Sequence, residues 1–441
     1  MVQTAEQNRE NKTVFDELRR YVAFNVLGMA GLSCYILADT FFVSFGLGAD
    51  GLTALNLAIP VYSLIHGCAL MLGMGGATKY AVFRGQRAFK NAERVFMNTV
   101  LAAAVSAIFF AAAGLLCSKT LAGLLGADDT IFAMTEIYLR VLLLFSPAFI
   151  FNEVLLCFVR NDGGPRLAMA AMLCGSLSNI VLDYMFIFPL HMGIFGAVLA
   201  TGFSPVIGMA ILSRHWQQEA CGLNFRLQKP ELLLTLQTLA LGLPSLVTEV
   251  ASGVVMIIFN FLLLGPEGNL GVAAYGIIAN LSLVVTAVYT GMAQGMQPVL
   301  SRSYGRGSRG EMRQILYETW KMMLIVSCAI YLALFLLAEP ITAGFNKEGN
   351  PCLRELAVPG LKLYFTAIPF AGFNIILSAF FTSAEQAAPA QMISVLRGIV
   401  LIIPAAFLLA AAAGMTGVWL ALPAVEAAVC LLGGMYYLQN R

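Results

Sequence analysis

Twelve apolar stretches, each of roughly 20 residues or more, limit where this chain can fold, because that length crosses the hydrocarbon core of a bilayer as a helix. They lie near 21–45, 53–77, 94–117, 131–158, 166–188, 193–213, 236–264, 270–298, 314–338, 357–383, 389–412 and 415–438. Lipid offers the backbone no hydrogen-bond partners, so each crossing must satisfy its own peptide groups. The chain is 59% hydrophobic and only 11% charged, against about 25% charged residues in a soluble domain. These features predict an all-α integral membrane protein with twelve transmembrane helices, in contact with lipid. The net charge of +2 sits in short loops and gives no reason to expect a nucleic-acid partner. The polar first twenty residues are not a cleavable signal peptide, and the first span is expected to direct insertion.

The loop charges orient the chain. With the termini on one side, 21 Lys and Arg residues fall on that side and 5 on the other. The rich side holds Arg19 and Arg20, the loop Lys79–Arg94, the stretch Arg214–Lys229, and the loop Arg302–Lys321. The poor side holds Lys119, Arg140, Lys347, Arg354 and Lys362. Basic loops stay in the cytoplasm, so a cell inner (plasma) membrane protein with both termini inside is expected.

The sequence also repeats. Aligning Gly85 with Gly305 pairs Gly75 with Gly295 and Val95 with Ile315. GIFGAVLA (193–200) is echoed by GMTGVWLA (414–421), and Pro165 by Pro389. Two copies of six spans share one orientation, related by an axis along the membrane normal. The expected organisation is a cytoplasmic tail at 1–20, a first lobe at 21–213, a cytoplasmic linker at 214–235 and a second lobe at 236–441.

Within the first lobe, four oxygen-bearing side chains converge in depth. Asp39 lies 19 residues past Arg20, roughly 28 Å along a helix, and Asp183 lies 17 past Arg166, roughly 26 Å. Asn179 precedes Asp183 by one turn, so both share a face. Thr201 returns from the short turn at Phe188-Pro189-Leu190-His191 to a similar height. An acid in lipid is costly and marks function. Oxygen-only ligands suit a hard cation, and two close carboxylates in low dielectric suit a shared proton. The second half offers no match, with Phe259-Asn260 in the place of Asp39-Thr40 and no acid in span 11.

Other polar groups leave alternatives open. Glu153, beside Asn152 in span 4, lines a cationic pocket or pairs with Arg160 or Arg140. Glu249 in span 7 is similarly divided. Glu426 in span 12 is a further candidate, and Arg397 is expected to snorkel to the inner surface. Nine dispersed cysteines and three scattered histidines indicate neither a disulfide framework nor a zinc site.

Several segments resemble the multidrug and toxic compound extrusion (MATE) family, especially its prokaryotic drug-efflux branch. They are ADTFFVSFGLGADGLTALNLAIPVY (38–62), FVRNDGGPRLAMA (158–170), SNIVLDYMFIFPLHMGIFGAVLAT (178–201) and QPVLSRSYGRG (297–307). The resemblance runs from about residue 20 to residue 437. It implies a cation site of an acid in span 1, an Asn and an Asp one turn apart in span 5, and a Thr in span 6. Asp39, Asn179, Asp183 and Thr201 match these one by one, and they would be the ligands if the ion is sodium. Tyr138 is similar to a tyrosine of that neighbourhood and, with Asn152, Glu153 and Glu249, is a candidate for substrate binding. One branch of the family carries working carboxylates in spans 7 and 10. Here span 10 has Asn374 and no central acid, and Glu249 sits at a different offset.

The resemblance implies two six-helix bundles forming a V-shaped cavity. It implies an antiporter, monomeric in the membrane, that exports amphipathic organic cations in exchange for Na+ or H+, with no other cofactor. A flippase for lipid-linked oligosaccharide or cell-wall precursors is the alternative, against which the central acids argue. A remote alternative is an intramembrane enzyme, but the chain has no HExxH, no GxSxG and no His in sequence near the carboxylates.

Overall fold

The computed structural model describes residues 2–219, 221–226, 229–346 and 350–440, and no strand occurs among them. Lys347 and Arg441 of the charge count lie outside the described residues. Among the described residues ten helices are long and apolar enough to cross a membrane, and eleven when a bent pair is taken as one. The bend, of 46°, separates Phe132–Leu144 from Ser146–Asn161, where Pro147 supplies no backbone N–H. The last helix, Ala387–Gln439, turns at Gly414, whose φ of 56° is left-handed, and so makes two crossings.

Spans 1 to 6 are therefore Val14–Gly48, Asp50–Gly85, Phe89–Leu116, Phe132–Asn161, Pro165–Ile187 and Gly193–Gln217. Spans 7 to 10 are Leu232–Leu263, Leu270–Gly305, Arg309–Leu336 and Pro351–Ser383, and spans 11 and 12 flank Gly414. The twelve expected crossings are present, with boundaries shifted by a few residues.

The repeat is visible in the backbone. Gly48 and Gly268, 220 residues apart, close the turns after spans 1 and 7 with φ of 70° and 58°. Gly193 and Gly414, 221 apart, stand at the equivalent later turns with φ of 62° and 56°. A left-handed residue is cheap only without a Cβ, so glycine recurs where the turn recurs.

Among the described residues two large hydrophobic cores form, one per half, with a small third cluster at Ala274, Ile277 and Ala357. Span 1 belongs to both large cores. Leu18, Tyr21 and Val22, at its inner end, pack into the core of the second half. Val43, nearer its outer end, packs into the first.

The halves meet from mid-membrane to the basic end. Gln297 donates to the Met74 carbonyl (3.2 Å) and to the Thr78 hydroxyl (2.7 Å). Arg302 pairs with Glu17 at 2.5 Å and Lys79 with Glu385 at 3.1 Å. At Gly291 a Cβ would stand 2.8 Å from the Val26 Cα, which is too close for any side chain. Such contacts hold the halves together at the basic end.

Candidate functional site

Asp183 is wholly buried, and Asp39 is 9% exposed. Span 1 presents Asp39 toward span 5 because its outer half packs there: Phe42 meets Tyr184 and Phe188 at 6.3 and 6.1 Å. The two carboxyl groups face one another within hydrogen-bonding reach. Two carboxyls can hydrogen-bond only if one carries a proton, since ionised carboxylates are acceptors alone.

Asn179 completes the group. With its amide assigned the orientation that suits both neighbours, its NH2 donates to Asp183 Oδ2 (3.0 Å) and its oxygen accepts from the Thr201 backbone N–H (3.2 Å). The Thr201 hydroxyl donates to the Ala197 carbonyl (3.1 Å). Oδ1 of Asp39 and Oδ1 of Asp183 are buried without a hydrogen-bond partner. The four residues predicted from sequence thus meet, and Tyr138 stands against them, buried at 6% exposure.

A cavity opens beside this cluster. Asn152, Glu153 and Glu249 line it, as do Thr201, Tyr35 and Tyr62. The tyrosine hydroxyls lie 3.3 Å apart. Tyr35 precedes Asp39 by one helical turn and Tyr62 precedes His66 by one, so polar groups continue from the acid pair to the cavity wall. Of the readings open for Glu153, the structure puts it on the cavity wall. Arg140 pairs with Glu136 at 2.5 Å, and Arg160 is turned elsewhere.

The sequence reading passed over two residues. His66, set aside among scattered histidines, lies 3.9 Å from Glu153 and 3.5 Å from Glu249. Its spacing from Tyr62 put both on one face, but its partners come from spans 4 and 7. Arg160, counted with the basic loops, is 1% exposed. It donates to Asn25 (2.9 Å) and Gln294 (2.7 Å), tying spans 1, 4 and 8 below the cavity.

Arg397 corrects an expectation. It does not snorkel, but donates to Glu426 at 2.6 and 3.0 Å from a π-helical turn at Leu396–Val400. Asn374 donates to the same carboxylate at 2.7 Å. With its side chain 14% exposed and Glu426 at 3%, the guanidinium gains more from a buried carboxylate than from a distant surface.

At the inner end, Asp162, His215 and Cys221 bring an O, an N and an S within 4.8 Å of one another. Sequence spacing had given no such cluster, since Asp162 comes from span 4. Asp162 already accepts from Tyr80 (2.5 Å), His215 (2.9 Å) and the Gly222 N–H (2.7 Å), with Arg84 at 3.5 Å. A metal ion would have to displace these donors and sit beside a guanidinium. The cluster reads as an anchor for the linker. All nine cysteines are free.

Two lobes of membrane-spanning helices, with a buried acid pair in one and a polar cavity beside it, define a transporter rather than an enzyme. The MatE family model matches residues 26–185 and 244–408, and the chain belongs to that family of transporters. It is 24% identical over 437 residues to a multidrug export protein, MepA, of Staphylococcus aureus strain MRSA252, covering 98% of this chain and 96% of that protein. The MepA of Staphylococcus saprophyticus is 22% identical over the same coverage. Among solved structures, an outward-facing multidrug resistance MATE family transporter superimposes with a TM-score of 0.90 at 23% identity, covering 96% of this chain and 95% of that one.

Proposed function

We propose that this protein is a multidrug efflux antiporter of the plasma membrane, exporting amphipathic organic cations in exchange for a proton or a sodium ion. The observation that carries the reading is the buried pair Asp39 and Asp183, which has no cation partner among the described residues and stands beside an acidic cavity. The naming of MepA as a multidrug export protein supports it. The basic loops favour a cytoplasmic location for both termini.

Asp39, Asp183, Asn179 and Thr201 are the proposed coupling residues, and Asn152, Glu153 and Glu249 the substrate contacts. In this conformation Asn179 spends its oxygen on the Thr201 N–H and its NH2 on Asp183. That leaves Oδ1 of Asp39 and Oδ1 of Asp183, both unpartnered, to take a proton or a sodium ion. A coupling ion entering from outside binds the pair, and span 1, which belongs to both cores, carries the change to the lobe interface. Ion and substrate favour different conformations, so each promotes release of the other.

Ethidium efflux from inverted vesicles, with sodium and pH gradients imposed separately, tests the reading. Wild type is expected to respond to one gradient and Asp183→Asn to neither, at normal membrane levels. A properly inserted wild type that moves no organic cation would refute it and turn attention to a lipid-precursor flippase.

A further inference from the structure

His66 stands between two glutamates from different lobes. Nε2 faces Glu153 Oε2 of span 4 at 3.9 Å, and Nδ1 faces Glu249 Oε2 of span 7 at 3.5 Å. A neutral imidazole has one N–H and one lone pair, so it would turn a lone pair toward one carboxylate. Only the imidazolium offers N–H on both sides. Tyr62 stacks on the ring, with centroids 5.8 Å apart and planes 8° from parallel, and Phe149 meets Tyr62 edge-on at 5.6 Å. Two carboxylates over an aromatic floor are what a planar or quaternary organic cation needs. Here a cationic side chain of the protein occupies that place, and all five residues line the cavity.

We propose that His66 is a tethered competitor for the substrate's cation subsite: Glu153 and Glu249 hold either the His66 imidazolium or the positive group of an organic cation. The proposal rests on the organic-cation reading above. Binding of the substrate cation lets His66 swing away and lose its proton to water in the cavity, so one positive charge replaces another. Affinity for cations falls as pH falls, separately from the Asp39 and Asp183 pair. The groups facing His66 are Tyr62 on its own span, Tyr35 on span 1, Glu153 on span 4 and Glu249 on span 7. Span 8 offers uncharged Thr290 and Gln294. Cys157 lies 3.8 Å from Glu153, and Arg160 is engaged with Asn25 and Gln294.

The test is binding of tetraphenylphosphonium, whose charge does not titrate, to purified protein between pH 5.5 and 8.5. Asp39→Asn/Asp183→Asn serves as background, so that neither carboxyl of the acid pair can hold a proton, and is compared with the same background carrying His66→Gln. In the background, affinity is expected to weaken by up to about tenfold per pH unit as the imidazole charges. Adding His66→Gln should flatten that slope and tighten binding at the acidic end. Calorimetry of the background protein in two buffers of different ionisation enthalpy reads the released proton without a His66 variant. Equal slopes with and without His66, or no released proton, would overturn the competition and leave the transport reading intact. No binding to wild type at any pH would overturn the organic-cation reading and the competition with it.

Discussion

The two lobes share a backbone plan and treat buried acid in opposite ways. In the first, Asp39 and Asp183 face each other, with Asn179 and Thr201 as neutral neighbours and two carboxyl oxygens unpartnered. In the second, Glu426 is bound by the Arg397 guanidinium and the Asn374 amide. Where Asp39 has its repeat counterpart, Phe259 stacks on Tyr275 at 5.1 Å and meets Tyr364 edge-on. A buried charge with a fixed partner has nothing left to bind. One held without a counter-charge can take up a mobile cation and give it back. Under the proposed antiport, the symmetric fold would supply one lobe for exchange and one for support.

Removing the exchange charge should have the largest effect. Asp39→Asn and Asp183→Asn are each expected to reduce gradient-driven ethidium efflux to the level of vesicles lacking the protein. The double variant should be no worse than either, because the two act as a unit. Partial, additive defects would separate them into different sites.

Next comes the supporting charge. Arg397→Met strands Glu426 in the second lobe and is expected to cost about 3–5 kcal/mol, read as a lower unfolding temperature in detergent. Arg397→Met/Glu426→Leu should recover most of that loss and keep efflux. Loss of efflux in the stable double variant would break the comparison and move coupling into the second lobe.

The smallest effects fall on the paired amides. Asn374→Ala removes a hydrogen bond to a carboxylate, worth about 1.5–3 kcal/mol, and should lower stability while sparing ion coupling. Asn179→Ala should do the reverse, shifting the ion concentration at half-maximal efflux by about tenfold, equivalent to about 1.4 kcal/mol. A shift in coupling from Asn374→Ala would show that the second lobe is not merely support.

Much of this was legible in the chain. Twelve apolar runs dictate crossings because lipid leaves the backbone no other choice. Asp39, Asn179, Asp183 and Thr201 were readable because a polar oxygen in an apolar run stands out, and because helix rise converts residue number into depth. Gly193 and Gly414, which open the echoed GIFGAVLA and GMTGVWLA, carried the symmetry, because a left-handed turn needs the same residue each time.

Pairing across helices was not legible. Arg397 looked like a snorkelling cation until span 12 brought Glu426 to it, and His66 looked incidental until spans 4 and 7 placed a glutamate at each nitrogen. Span 1 gave no sign in sequence that its inner end joins the second core and its outer end the first. Sequence determined the environment, the crossings and the depth of each polar group, since these follow from local hydropathy and helix geometry. Tertiary structure alone decided which charges are neutralised and which are left to bind, since rotation of each helix about its axis is set by packing against its neighbours.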